Sequence, residues 1–193
     1  MDMMRTGIGS LVPVAAIAAA GLGAAPAFAI DYMNAEQARK LLFPAAAKWQ
    51  DKSVTLDAAQ LRSVADRAGM PARSAAWNLS NALDDKGGVI GTVVVDQVIG
   101  KFELITYAVG IDRSGAITGI EILSYRESHG SEVRLPAWRR QFAGKSLAQP
   151  IKAGEDIAII SGATMSCNHV TDGVRRIVAL VAMLRDGGLL TAP

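Results

Sequence analysis

Apolar residues near the C-terminal end recur with helical spacing. Val170, Val174, Ile177, Val181 and Leu184 fall four, three, four and three residues apart, one face of a 3.6-residue helix. Asp172, Arg175 and Arg176 lie on its other faces, and Gly187-Gly188 stands where a left-handed cap would stop it. Upstream, Ile157-Ala158-Ile159-Ile160, preceded by Glu155 and Asp156, reads as the end of a strand. Between the two runs lies Ser161-Gly162-Ala163-Thr164-Met165-Ser166, which turns the chain from strand into helix. Free backbone N–H groups and the positive end of the helix dipole gather at such a turn, which suits a phosphate. Ser and Thr are equally ordinary N-cap residues, and Gly tolerates unusual φ/ψ. Local physics leaves both readings open.

The pattern earlier in the chain predicts two helices and then strands. From Asn34 to Lys48, Ala35, Ala38, Leu41 and Leu42 share a face, and Phe43-Pro44 ends or kinks the helix. A second helix is expected over Asp57 to Ala68, with Asp57 as N-cap, Leu61, Val64 and Ala65 inward, and Gly69 as the stop before Pro71. Val89–Val95, Phe102–Ile111 and Ala116–Tyr125 are β-branched and aromatic enough to be strands. Asp112-Arg113-Ser114-Gly115 joins the last two as a hairpin turn with a bulge at Gly115. Hairpins in series predict an α+β fold, mostly antiparallel sheet with flanking helices in a single domain, rather than a doubly wound sheet. No G-x-G-x-x-G follows a strand, which counts against a dinucleotide-binding domain.

Residues 1–29 have a different composition. One Arg precedes a long run of small apolar residues, and Ala27-Phe28-Ala29 fits a cleavage site. This predicts a signal peptide over 1–29 and a mature chain starting near Ile30 in an extracytoplasmic, periplasmic setting. An uncleaved N-terminal membrane anchor is the alternative, since the run approaches the ~18 residues that span a bilayer. What remains divides into an N-terminal helical layer, 30–88, and a second segment, 89–186, with no Gly/Ser/Pro-rich linker between them.

The balance of 20 basic and 18 acidic side chains argues against nucleic acid as a partner. A single cysteine, Cys167, excludes an internal disulfide and thiolate metal clusters. With only His129 and His169, a protein-built zinc or haem site is not expected.

Tyr125 to Val133 is polar directly after a strand, as a site-lining loop or a solvated connection would be. Pro136 opens a short helix whose Trp138 and Phe142 stack on one face, as core residues do. His129 is most simply a polar loop residue; beside a redox group it would shift the potential.

Ser161-Gly162-Ala163-Thr164-Met165-Ser166 resembles the flavinylation motif of the FMN-binding domain family, Ser/Thr-Gly-Ala-Thr/Ser-x-Thr/Ser. Glu127 and Gly130 match the Glu-x-x-Gly segment that in this family follows the central hairpin and lies beside the flavin. A helix ending in Phe-Pro also precedes the flavin domain in many members. The resemblance covers roughly Val89 to Leu184, so the 89–186 segment is read as an FMN-binding domain. It implies covalent FMN, esterified through its phosphate to Ser166 by a dedicated flavin transferase. Ser161, Gly162, Ala163 and Thr164 would form the recognition turn, and Glu127, His129 and Gly130 the loop beside the flavin. Thr is the commoner acceptor, so Ser166 departs mildly from the pattern.

Two other chemistries are weighed against this. His169, three residues after Ser166, suggests a Ser–His hydrolase, but no G-x-S-x-G surrounds the serine. Cys167 beside His169 likewise suggests a thiol enzyme, but it reads more simply as a small residue packed at the helix start. No catalytic residue is therefore expected. The leading expectation is an exported electron-transfer flavoprotein with a redox partner in the membrane or periplasm, a carrier rather than a complete reductase. The alternative is an accessory or assembly module that binds flavin reversibly.

Overall fold

Among the described residues, six strands lie in the order β1-β6-β5-β4-β3-β2, each hydrogen-bonded antiparallel to its neighbours. They are β1 (Ile30–Asp31), β2 (Lys48–Thr55), β3 (Ala76–Leu83), β4 (Val89–Ile99), β5 (Leu104–Asp112) and β6 (Ile117–Tyr125). The helices are α1 (Ala35–Leu42), α2 (Ala58–Ala68), α3 (Pro136–Arg139) and α4 (Thr164–Asp186), with 3-10 turns at Ser131–Arg134 and Arg140–Phe142. The computed structural model describes residues 30–190. The expected signal segment, 1–29, lies outside the described residues. No helix among the described residues is long and apolar enough to cross a membrane.

Alternation along the strands splits the interior in two. Val94, Val98, Ile105, Tyr107, Val109, Ile120, Ile122 and Tyr125 join a large core under α4 and α2. Val93, Ala108 and Leu123 point the other way, onto Ala38, Leu42 and Phe43 of α1 and its C-cap. On that face, β-carbons at Gly110 and Gly119 would press on Leu42 at 3.1 and 3.2 Å. The missing β-carbons let α1 lie close to the sheet.

The long helix α4 is buried more widely than its predicted stripe. Besides Val170, Val174, Ile177, Val181 and Leu184, it buries Val178, Ala179, Leu180, Ala182 and Met183. A helix apolar most of the way round needs neighbours on several sides, and α4 has the sheet on one and α2 on another. Its arginines fasten the flanking loops: Arg175 donates to the Pro150 carbonyl at 2.7 Å and Arg176 to the Pro71 carbonyl at 3.0 Å. Gly173 permits the closest approach, because a β-carbon there would collide with the Tyr107 hydroxyl.

The α+β, antiparallel, single-domain expectation matches this architecture. Of the two outcomes expected at Phe43-Pro44, the first helix ends there, at Leu42, and does not continue as a kinked helix to Lys48. Two local expectations are corrected. Residues 30–88 are not a purely helical layer, because β2 and β3 extend the sheet. These strands are polar, and hydrogen bonds between side chains link them: Ser53 to Asn78 at 2.7 Å, Ser80 to Asp51 at 2.5 Å, Thr92 of β4 to Asn81 at 2.9 Å. Ile157–Ile160 is not a strand; a single bridge joins Ile157 to Ala153. The backbone of this segment pairs with side chains instead, Trp138 Nε1 donating to the Ala158 carbonyl and Ala158 N–H to Gln141 Oε1.

Asp57 caps α2 by accepting from Ala59 and Gln60 N–H, while Gly69 ends the helix at φ +67°, as its sequence predicts. Trp138 and Phe142 are both buried, with ring centroids 5.1 Å apart.

Candidate functional site

Three stretches distant in sequence meet at the N-terminus of α4. The turn before the helix is Ser161–Ala163, with Gly162 at φ +81° and Ala163 N–H donating to the Ile160 carbonyl. Ala163 occupies the N-cap position and no side chain caps the helix. Neither Ser161 nor Thr164 acts as a cap, so the first-turn N–H groups remain available to a ligand. Gly162, Thr164 and Met165 face outward, whereas Ser166 is only 3% exposed.

The second stretch follows β6. Gly130, at φ +84°, is seated on the turn: a β-carbon there would lie 2.6 Å from Ala163 Cβ and 2.7 Å from the Tyr125 hydroxyl. The third is the tip of the β4–β5 hairpin, Gly100–Glu103. Glu127 reaches across to it, its Oε1 accepting from Phe102 N–H at 2.5 Å and Glu103 N–H at 2.9 Å. Partial burial pushes the Glu127 carboxyl up, but the N–H donors of Glu103, Phe102 and Lys101 and the Lys101 charge outweigh it. The net shift is below the ordinary value of 4.5.

These stretches enclose an open pocket of about 460 Å³, lined by Lys101, Phe102, Glu127, Ser128, His129 and the run from Gly162 to Ser166. Of the residues expected at the site, Glu127, His129, Gly162, Ala163, Thr164 and Ser166 line it. Gly130 stands behind the wall, and Ser161 lies exposed at the turn. Lys101 and Phe102 were not expected there, and Tyr125, which opens the loop read as site-lining, stands behind the pocket against Ser166. A lysine beside an aromatic residue at a hairpin tip, in Gly100-Lys101-Phe102-Glu103, was the available signal for the first two.

His129 Nδ1 is 2.9 Å from Ser128 Oγ. His169 donates from Nδ1 to the Ile99 carbonyl at 2.6 Å, while Ser166 Oγ is 3.1 Å from Tyr125 Oη. Ser166 and His169 are therefore engaged elsewhere and do not form a nucleophile–base pair. Burial pushes both the Tyr125 phenol and the Cys167 thiol above their ordinary values. The phenol stays neutral and the thiol inert at physiological pH.

Comparison with known proteins fits this geometry. Residues 100–179 match the FMN-binding domain family. A component of the ion-translocating oxidoreductase complex of Vibrio parahaemolyticus is 31% identical over 108 residues, half of this chain and half of that protein. The chain thus spans about half the length of the curated relative it matches. The crystal structure of Shewanella oneidensis NqrC shares the fold, with a TM-score of 0.51 at 18% identity, covering 76% of this chain and 88% of that one. Over residues 100–179, enclosing the hairpin tip, the Glu127–Gly130 loop and the start of α4, the chain carries a domain of the FMN-binding family.

Proposed function

We propose that the chain is an exported electron carrier whose FMN is esterified to Ser166. The observation that carries this reading is the uncapped N-terminus of α4, which forms one wall of the pocket and has the Ser166 hydroxyl at its base. The volume lies within the roughly 300–1,000 Å³ of small-molecule sites. First-turn N–H groups and the helix dipole favour a phosphate there by about 0.3–1 kcal/mol where exposed. Gly162, with nothing within 4 Å of where a β-carbon would stand, leaves the approach to the turn open.

FMN, when bound, supplies the redox chemistry of its isoalloxazine ring. The chain's own residues hold and screen it. Ser161, Gly162, Ala163 and Thr164 shape the recognition turn, and Phe102 and Met165 give the pocket apolar surface. Glu127 fixes the hairpin tip, while Lys101 and His129, which line the pocket, would offer polar groups to a bound flavin. A flavin transferase of the host makes the ester, because the described residues offer Ser166 no base. Export follows from reading 1–29 as a cleaved signal. The relative's name, which places it in an ion-translocating oxidoreductase complex, supports a redox partner in or beside the membrane.

Reversible flavin binding by an accessory module is the second reading. One observation favours it: the Ser166 hydroxyl is buried and already hydrogen-bonded. Co-expression with a flavin transferase, followed by a denaturing gel, separates the two. In-gel flavin fluorescence that vanishes in Ser166→Ala and persists in Thr164→Ala is the expected result. A dark wild-type band refutes covalent attachment, and a bright Ser166→Ala band refutes the acceptor. The mass of the protein from the periplasmic fraction tests removal of 1–29.

A further inference from the structure

Tyr125, the last residue of β6, touches the pocket loop and the proposed acceptor through one oxygen. Its Oη lies 2.5 Å from the His129 carbonyl oxygen and 3.1 Å from Ser166 Oγ. A phenol has one hydrogen, and a carbonyl can only accept. That hydrogen is committed to His129, so Ser166 must be the donor in the second bond, giving its hydrogen to a phenol lone pair. The direction of the chain Ser166 Oγ–H to Tyr125 Oη–H to His129 C=O is fixed by counting donors. Ser166 is left with only lone pairs to offer in other directions, as an attacking oxygen requires. The Ser166–Tyr125 contact is at the long end for O–H···O bonds, so it is the weaker link and the easier to exchange.

We propose that Tyr125 is a positioning residue for attachment at Ser166, and that its hydroxyl changes partner when the ester forms. The proposal rests on Ser166 being the acceptor. In the attachment step the Ser166 O–P bond forms, and the P–O bond to the leaving half of a flavin phosphoanhydride breaks. The leaving group takes the electron pair, and the serine proton gives up its bond to Tyr125 and passes to a base of the transferase. No oxidant or reductant is involved. Afterwards Ser166 has no hydrogen, and two oxygens would face each other with lone pairs only. The Tyr125 hydrogen then turns from the His129 carbonyl to the ester or a phosphate oxygen. His129 belongs to an exposed stretch of the loop, so a small turn of its released carbonyl brings it to water and limits the unsatisfied-group penalty. Attachment is thereby coupled to loosening of the loop that covers the acceptor. The packing of Gly130 against both Tyr125 and Ala163 places that loop where it registers the change.

The test uses the full chain, purified without flavin, with a flavin transferase and its flavin donor. Tyr125→Phe is expected to lower kcat for attachment about tenfold, the worth of one hydrogen bond, with KM for the protein unchanged. A merely structural role would alter melting but not the rate of the folded fraction. The second readout keeps the wild-type side chain. With 1-13C-histidine, only two carbonyls are labelled, His129 and His169. One of the two 13C amide bands should shift on attachment as the His129 carbonyl exchanges the phenol for water. An unshifted pair of bands, or Tyr125→Phe at the wild-type rate, overturns the proposal while leaving the acceptor assignment standing. A wild-type chain that takes no covalent flavin overturns both.

Discussion

Gly130 and Ala163, from two loops more than thirty residues apart in sequence, meet so closely that a β-carbon on Gly130 would lie 2.6 Å from that of Ala163. Gly130 also sits at φ +84°, where side chains are strained. The Gly130→Ala variant should therefore lose about 1–3 kcal/mol from conformation alone. It should also shift the Glu127–His129 loop away from the helix start. Thermal melting checks the first effect. Flavin absorbance per protein after co-expression with the transferase checks the second, and both should fall.

Glu127 gives a pH signature. Its carboxylate accepts from Phe102 and Glu103 N–H, and its pKa is held below the ordinary 4.5. A lowered folded-state value means that the ionised form favours the folded chain. The contribution is present above the unfolded value and disappears as pH falls through the folded one. Glu127→Gln should destabilise at neutral pH by less than about 1 kcal/mol, given the exposure of the group. The gap between variant and wild type should close as urea midpoints are measured further below 4.5. A gap that widens in acid would contradict the clamp.

Gly173 and Tyr107 should behave as a coupled pair. Gly173→Ala places a methyl against the phenol and should cost roughly 1–3 kcal/mol, as overpacked cores do. Removing the hydroxyl with Tyr107→Phe gives up its 2.9 Å bond to Asp96 but vacates that space. The double variant should thus be less destabilised than the sum of the single ones. Chemical denaturation of all four forms measures the cycle.

The capping box of α2 offers a change remote from the pocket. Asp57→Ala removes the acceptor for Ala59 and Gln60 N–H and should cost about 1 kcal/mol. Flavin content after co-expression should be unchanged. A loss of flavin would mean that α2 governs the pocket through its packing on α4.

The elements that announce themselves by periodicity or capping were legible in the sequence: α4 by its stripe, α2 by Asp57 and Gly69, the β5–β6 hairpin by Asp112 and Gly115. Strands β2 and β3 were not. Lys48–Thr55 is an edge strand with no buried residue, and Ala76–Leu83 carries Asn78, Ser80 and Asn81 where apolar residues would have marked it. Their pairing is supplied by partners that no local pattern contains. Ile157–Ile160 misled in the opposite sense: apolar and β-branched, it reads as a strand, yet its backbone is bound by Trp138 and Gln141 of a distant helical turn. At the site, the Ser161–Ser166 turn and Glu127 could be singled out by pattern. Tyr125 fell within the loop read as site-lining, but its bond to Ser166 was not legible, because it arises only where the end of β6 passes under α4.

The strand order also bears on the order of folding. From β3 to β6 every strand pairs with the one before it in sequence, so this part of the sheet can grow strand by strand with little loop-closure entropy to overcome at each step. Helix α4 emerges after all of them and needs both the finished sheet and α2 before its apolar surface is covered. The oxygen of Ser166 meets Tyr125 only at that last docking. During synthesis, the flavin pocket is therefore among the final features to form, and a transferase that reads the folded pocket acts only on chains that have completed their core.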